Sequence, residues 1–120
     1  MGNPFVHMEL MSTDPDKVKT FYGKLFDWQL EDMKAGDGLE YTIIRVGDGT
    51  GGGIMKNPIP NSPSIWMPYV AVDNLRTETA KAQSLGAELM KDVTEVPNMG
   101  FFTILIDPAG GMFGLWQSNS

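Results

Sequence analysis

His7 is the single histidine of the chain, and imidazole is the one side chain whose ordinary pKa lies near neutrality. Glu9 follows two residues later in Phe5 to Met11 (FVHMELM). Strand alternation puts Phe5, His7, Glu9 and Met11 on one face and Val6, Met8 and Leu10 on the other. An imidazole beside a carboxylate in a cavity can exchange protons with a bound molecule, orient one another, or accept a ligand's donors. Two ligands on one strand can also reach one ion, but a catalytic zinc site usually has three protein ligands. With no cysteine and no second histidine, the residues leave His7 as the metal ligand if any metal is bound. Arg45, the one cation inside an expected strand, would suit a carboxylate or phosphate if it faced inward. Met55, Trp66 and Trp116, joined by Phe5 and Met11, would give a flat, adaptable, apolar surface for a small organic ligand. The plainer alternative for all five is core filling or burial against a second subunit.

The elements that must hold these residues are legible. Asp14 before Pro15 is a capping carboxylate ahead of a first-turn proline, and Val18, Phe21, Tyr22, Leu25 and Phe26 recur at helical spacing, so a helix is expected over 15–26. Tyr41 to Val46 (YTIIRV) reads as a strand, and Asp48 to Gly53 (DGTGGG) turns the chain before Ile54 and Met55. The glycine run lacks a phosphate-loop pattern and precedes no helix, so it is a hairpin turn. The second half repeats the order. Ile65 to Val72 is a strand, Asp73 opens a helix through Leu75, Ala82 and Leu85, and Gly86 stops it. Phe101 to Ile106 is a strand that turns through Asp107-Pro108-Ala109-Gly110-Gly111 into Phe113 to Trp116. Asp14 to Asp73 and Asp48 to Asp107 are both 59 residues apart, which marks an internal repeat. One domain over 1–120 is expected, with unit one at 1–57, a Pro/Asn-rich linker at 56–63 and unit two at 64–120. Each unit is β-α-β-β-β, with a short strand around 30–33 or 89–93. The fold class is α+β: two such units combine into a curved, partly closed mixed sheet with the helices outside.

Composition narrows the partners. Nine Lys and Arg against fifteen Asp and Glu leave a net charge of −6, which disfavours nucleic acid. No 18-residue apolar run exists to cross a membrane, and the N-terminal residues lack a signal-peptide pattern, so a cytoplasmic location is expected. A sheet with open edges favours a homodimer that covers them.

The opening HMELMSTDPDKVKTFYGKLFDW, the Trp66-Met67-Pro68-Tyr69 segment and the closing DPAGGMFGLWQ resemble the glyoxalase/bleomycin-resistance/dioxygenase superfamily, the vicinal oxygen chelate proteins, and within it small proteins related to lactoylglutathione lyase. The resemblance implies a cup-shaped site with four inward ligands for a divalent metal. Carried onto this chain at the family's spacing, those four positions fall on His7, Trp66, Met55 and Gly114. Three of the four cannot bind a hard divalent ion. The expectation is therefore a domain that binds a small organic molecule in an aromatic cup without that metal or any other cofactor. The alternative the resemblance leaves open is a metal-dependent lyase or isomerase using His7 and Glu9.

Overall fold

The computed structural model describes residues 2–119, the side chain of Asp37 excepted. The strands and helices follow in the order β1 (Phe5–Ser12), α1 (Pro15–Leu25), β2 (Gln29–Lys34), β3 (Glu40–Arg45), β4 (Gly52–Lys56), β5 (Ile65–Ala71), α2 (Leu75–Ser84), β6 (Glu88–Val96), β7 (Gly100–Ile106) and β8 (Met112–Ser118). They form one eight-stranded sheet in the order β2-β3-β4-β1-β5-β8-β7-β6. The β1/β4 and β5/β8 pairs are parallel and the others antiparallel. Each β-α-β-β-β unit thus contributes half the sheet, and the two first strands, β1 and β5, join the halves within one chain. This is the curled, mixed α+β half-barrel expected from the sequence. A short 3-10 turn at Gly36–Gly38, absent from the sequence reading, brings the β2 side against Thr94 and Glu95 of β6, near the far edge.

Local signals account for most boundaries. The Asp14 carboxylate accepts from the Lys17 amide and Pro15 opens α1, as the sequence indicates. The second helix corrects its expectation: Asn74, not Asp73, is the cap, accepting from the Thr77 amide. The repeat interval is therefore 60 residues at the caps. It reaches 61 in the last strands, because Glu9 pairs with Gly53 while Tyr69 pairs with Gly114. In the β7–β8 turn, the Asp107 carboxylate accepts from the Ala109 and Gly111 amides, a local side-chain bond that fixes the bend. β2 and β6 are longer than the short strands expected there.

Three clusters fill the fold. On the outer face, α1 lays Val18 and Tyr22 over Leu10, Ile44 and Ile54, and α2 lays Leu75 and Ala82 over Leu105 and Leu115. The inner face holds the largest cluster, with Met11, Tyr41, Ile43, Met55, Met67, Tyr69, Phe102 and Ile104 buried. Seven methionines line or border it: Met11, Met33, Met55, Met67, Met90, Met99 and Met112. α1 differs from α2 in burying none of its residues. Phe21, Leu25, Phe26 and the neighbouring Trp66 are all more than a third exposed, and Tyr22 joins Phe21, Phe26, Trp28 and Trp66 in ring contacts.

Candidate functional site

The polar side chains of the inner face meet at one place. β1 carries His7, Glu9 and Met11 inward, β3 carries Tyr41 and Ile43, and β5 carries Met67 and Tyr69. The Tyr41 hydroxyl donates to Glu9 Oε1 at 2.8 Å and lies 2.7 Å from His7 Nε2. With that donation made, the imidazole N–H donates to the Tyr41 oxygen. His7 Nε2 stands 3.9 Å from Glu9 Oε1, so the phenol bridges the two. A string of hydrogen bonds runs from a carboxyl that is 0% exposed to an imidazole whose side chain is 12% exposed.

Burial sets the charges. It pushes Glu9 from 4.5 up to about 8, against the opposing pull of the Tyr41 and Tyr69 hydroxyls, because a low-dielectric interior disfavours the carboxylate. The same desolvation lowers His7 from 6.5 to about 4. Near pH 7 both are mainly neutral. The Tyr41 and Tyr69 phenols are held well above their usual range by burial and by Glu9, so they remain donors. Glu9 Oε2 and the Tyr69 hydroxyl are both buried without a bond of strict geometry, and each is the other's polar neighbour, the hydroxyl opposing the rise of the Glu9 carboxyl as a hydrogen-bond donor does.

Glycines make room for the two phenols. A Cβ on Gly53 would overlap the Tyr41 hydroxyl and ring, and one on Gly114 would overlap the Tyr69 ring. These last-strand positions face the inner surface where a side chain would otherwise project, and tyrosine rings from neighbouring strands fill the space. Neither Gly53 nor Gly114 therefore offers His7 and Glu9 a carboxylate or imidazole as a further ligand. Among the described residues no three His, Asp or Glu side chains gather closely enough to hold a metal ion. The donor set does not fit the four-ligand metal centre of the resembled superfamily.

The expected site residues separate. Met11 and Met55 are buried on the inner face and Trp116 borders it; the Trp116 ring lies parallel to His7, with centroids 5.9 Å apart and 4° between the planes. Phe5 is instead 69% exposed. A register shift lies between Phe5 and His7 opposite β5, and an extra residue there breaks the alternation that would have kept them on one face. Trp66 packs against Tyr22 and Trp28 on the helix side, because an interval of 60 rather than 59 makes Met67 the counterpart of His7. Arg45 sits at the rim, paired with Glu31 at 2.7 Å in an exposed salt bridge. Tyr41 and Tyr69 complete the cluster; the sequence signal for Tyr41 is its parity with Ile43 in YTIIRV.

The inner face is packed rather than hollow, and open space lies at its mouth. A cleft of about 650 Å³ is lined by Val6, His7, Ile43, Arg45, Gly52 and Met99, among others. His7 is thus the one member of the hydrogen-bonded string that meets the cleft.

Two linked β-α-β-β-β units curled into one mixed sheet are the architecture of the vicinal oxygen chelate class of protein. Within it the chain belongs to the glyoxalase-like domain family, whose model matches residues 7–116. It is 32% identical over 107 residues to the provisionally named glyoxylase CFP32 of Mycobacterium bovis, covering 89% of this chain and 41% of that protein. A shorter match, 31% identical over 57 residues, joins 48% of this chain to 21% of the anthracycline biosynthesis protein DnrV of Streptomyces peucetius. The chain spans about two fifths or less of the length of these curated relatives. Among solved structures it resembles methylmalonyl-CoA epimerase from Mycobacterium tuberculosis, with a TM-score of 0.71, 13% identity, and coverage of 97% of this chain and 88% of that one. At that identity the likeness concerns the fold.

Proposed function

We propose that this domain binds a small, uncharged, flat organic molecule at the mouth of the inner face and does so without the superfamily's divalent metal. The observation that carries the reading is the Glu9–Tyr41–His7 string, which connects a buried polar group to an open cleft. Buried polar networks are costly unless fully satisfied, and this one ends where a ligand can reach it. Val6, Ile43 and Met99 supply apolar walls, Trp116 lies behind His7, and the methionines of the inner cluster can repack around an incoming body because thioether chains adapt their shape. Arg45, which lines the cleft, is already paired with Glu31, and burial keeps His7 mainly neutral near pH 7, so an anionic group would find no free counter-charge there. The match to an anthracycline biosynthesis protein supports a polycyclic aromatic ligand.

The test is a titration with 1-hydroxyanthraquinone, followed through Trp116 fluorescence in a Trp28→Phe/Trp66→Phe background and through calorimetry of the native chain. Saturable one-to-one binding that weakens on His7→Ala supports the reading. Absence of saturable binding removes it. The same string also favours a second reading, a glyoxalase-type lyase or isomerase with His7 and Glu9 exchanging protons. Turnover of methylglyoxal hemithioacetal that disappears on His7→Ala would establish it, and no turnover with or without added divalent ions would end it. A homodimer accompanies either reading, covering the aromatic face of α1 that the chain itself leaves open.

A further inference from the structure

We infer that the ligand of this cleft is a phenol, a flat aromatic molecule whose ring-borne O–H is donated to Nδ1 of His7. This rests on the binding function proposed above and names the ligand chemistry of that same site. The Tyr41 hydroxyl has one proton, and it goes to Glu9 Oε1. None is left for the 2.7 Å contact with His7 Nε2, so the imidazole's own N–H holds that contact. A neutral imidazole has one N–H and one bare nitrogen, and desolvation keeps His7 neutral near pH 7. The bare nitrogen is therefore Nδ1. Among the described residues nothing bonds to Nδ1, yet it is not sealed from solvent. Since His7 lines the cleft, this open acceptor is within reach of whatever enters there.

The ring is held in that pose from three sides. Trp116 lies parallel to it at 5.9 Å, Tyr69 meets it edge-on at 5.3 Å and 85°, and Tyr41 engages Nε2. Tyr41 is thus a positioning residue: its bond fixes which nitrogen is bare, and Glu9 in turn holds the Tyr41 hydroxyl. Asp27, exposed at the rim of the same cleft, adds a second acceptor. The Arg45 guanidinium, which could donate there, is engaged by Glu31. A ligand group that only accepts, such as an ether oxygen, meets a lone pair at His7 and loses its hydration without replacement. An O–H group gains a bond at the same place, and the apolar walls of Val6, Ile43 and Met99 take the ring that bears it.

Three flat probes isolate the donor: 2-naphthol; 2-methoxynaphthalene, which keeps the oxygen and lacks the proton; and naphthalene, which lacks both. In calorimetric titrations of the native chain, 2-naphthol should bind roughly tenfold more tightly than either of the others. His7→Phe keeps a ring between Trp116 and Tyr69 and removes both nitrogens, so it should abolish that preference and leave naphthalene binding unchanged. His7 is the single histidine of the chain, so its imidazole nitrogen resonances in NMR are identified without further labelling. They should show Nε2 protonated and Nδ1 bare. The Nδ1 resonance should move toward its protonated position on adding 2-naphthol and stay in place with 2-methoxynaphthalene. In Tyr41→Phe the two tautomers should mix and the preference for 2-naphthol should shrink. A proton on Nδ1 in the native chain, equal affinity for 2-naphthol and 2-methoxynaphthalene, or a preference that survives His7→Phe would overturn the phenol assignment and leave the binding function standing. Binding of none of the three probes would overturn both.

Discussion

Replacing Glu9 by glutamine should stabilise the protein in mildly alkaline solution, and the size of the effect follows from the burial of this one carboxyl. Its pKa is raised from 4.5 to about 8 on folding. Above pH 4.5 the unfolded chain gives up a proton that the folded chain keeps until about pH 8. Over that window the folded state binds more protons, so stability falls as pH rises, by about 1.4 kcal/mol per pH unit. At pH 7 the accumulated cost is about 3 kcal/mol, a large share of a typical domain's 5–15 kcal/mol. His7 acts in the opposite sense at lower pH. Its pKa falls from 6.5 to about 4, so between those values the unfolded chain binds the extra proton and stability declines as pH falls. The two slopes oppose one another between about pH 4.5 and 6.5, which leaves a plateau there and a decline from 6.5 toward 8. Glu9→Gln keeps an oxygen to accept from Tyr41 and removes the titrating proton. Urea denaturation at half-unit steps from pH 5 to 8.5, fitted with a common slope, is the assay. The native chain should lose stability from pH 6.5 to 8, and the variant should lose much less. A native profile that is flat or rising over that interval, or one whose slope survives in Glu9→Gln, would refute the account of a neutral buried Glu9.

Three further outcomes are expected. Gly53→Ala should cost about 2–4 kcal/mol by driving a methyl group into Tyr41 and breaking its bonds to Glu9 and His7; a thermal melt within a degree or two of native would contradict the packing seen at β4. Asn74→Ala should cost about 1 kcal/mol and Asp73→Ala less than half of that, and the reverse order in chemical denaturation would restore Asp73 as the helix cap. Phe21→Ser combined with Phe26→Ser should convert the proposed dimer to a monomer in sedimentation velocity, whereas an unchanged dimer would place the interface elsewhere.

Local chemistry in the chain was enough to determine the units and their turns. Asp14-Pro15 starts α1, Asp107 holds its turn through its own neighbours' amides, and alternation in FVHMELM puts His7, Glu9 and Met11 on one face. Each of these depends on interactions within a few residues, so the sequence displays them. The candidate site depends on longer distances. Tyr41 reaches Glu9 across 32 positions of sequence only because β3 and β4 deliver it into the space that Gly53 leaves open. Register decided the rest. A strand presents alternate residues to opposite faces, so one residue of error exchanges inside for outside. An interval of 60 in place of 59 sent Trp66 to the helix side and brought Met67 inward, and one register shift near Phe5 took that ring out of the cup. The sequence alone could show that a carboxylate and an imidazole share a strand. Only the curled sheet, by burying one and leaving the other at the cleft, joined them through Tyr41 and left both mainly neutral near pH 7.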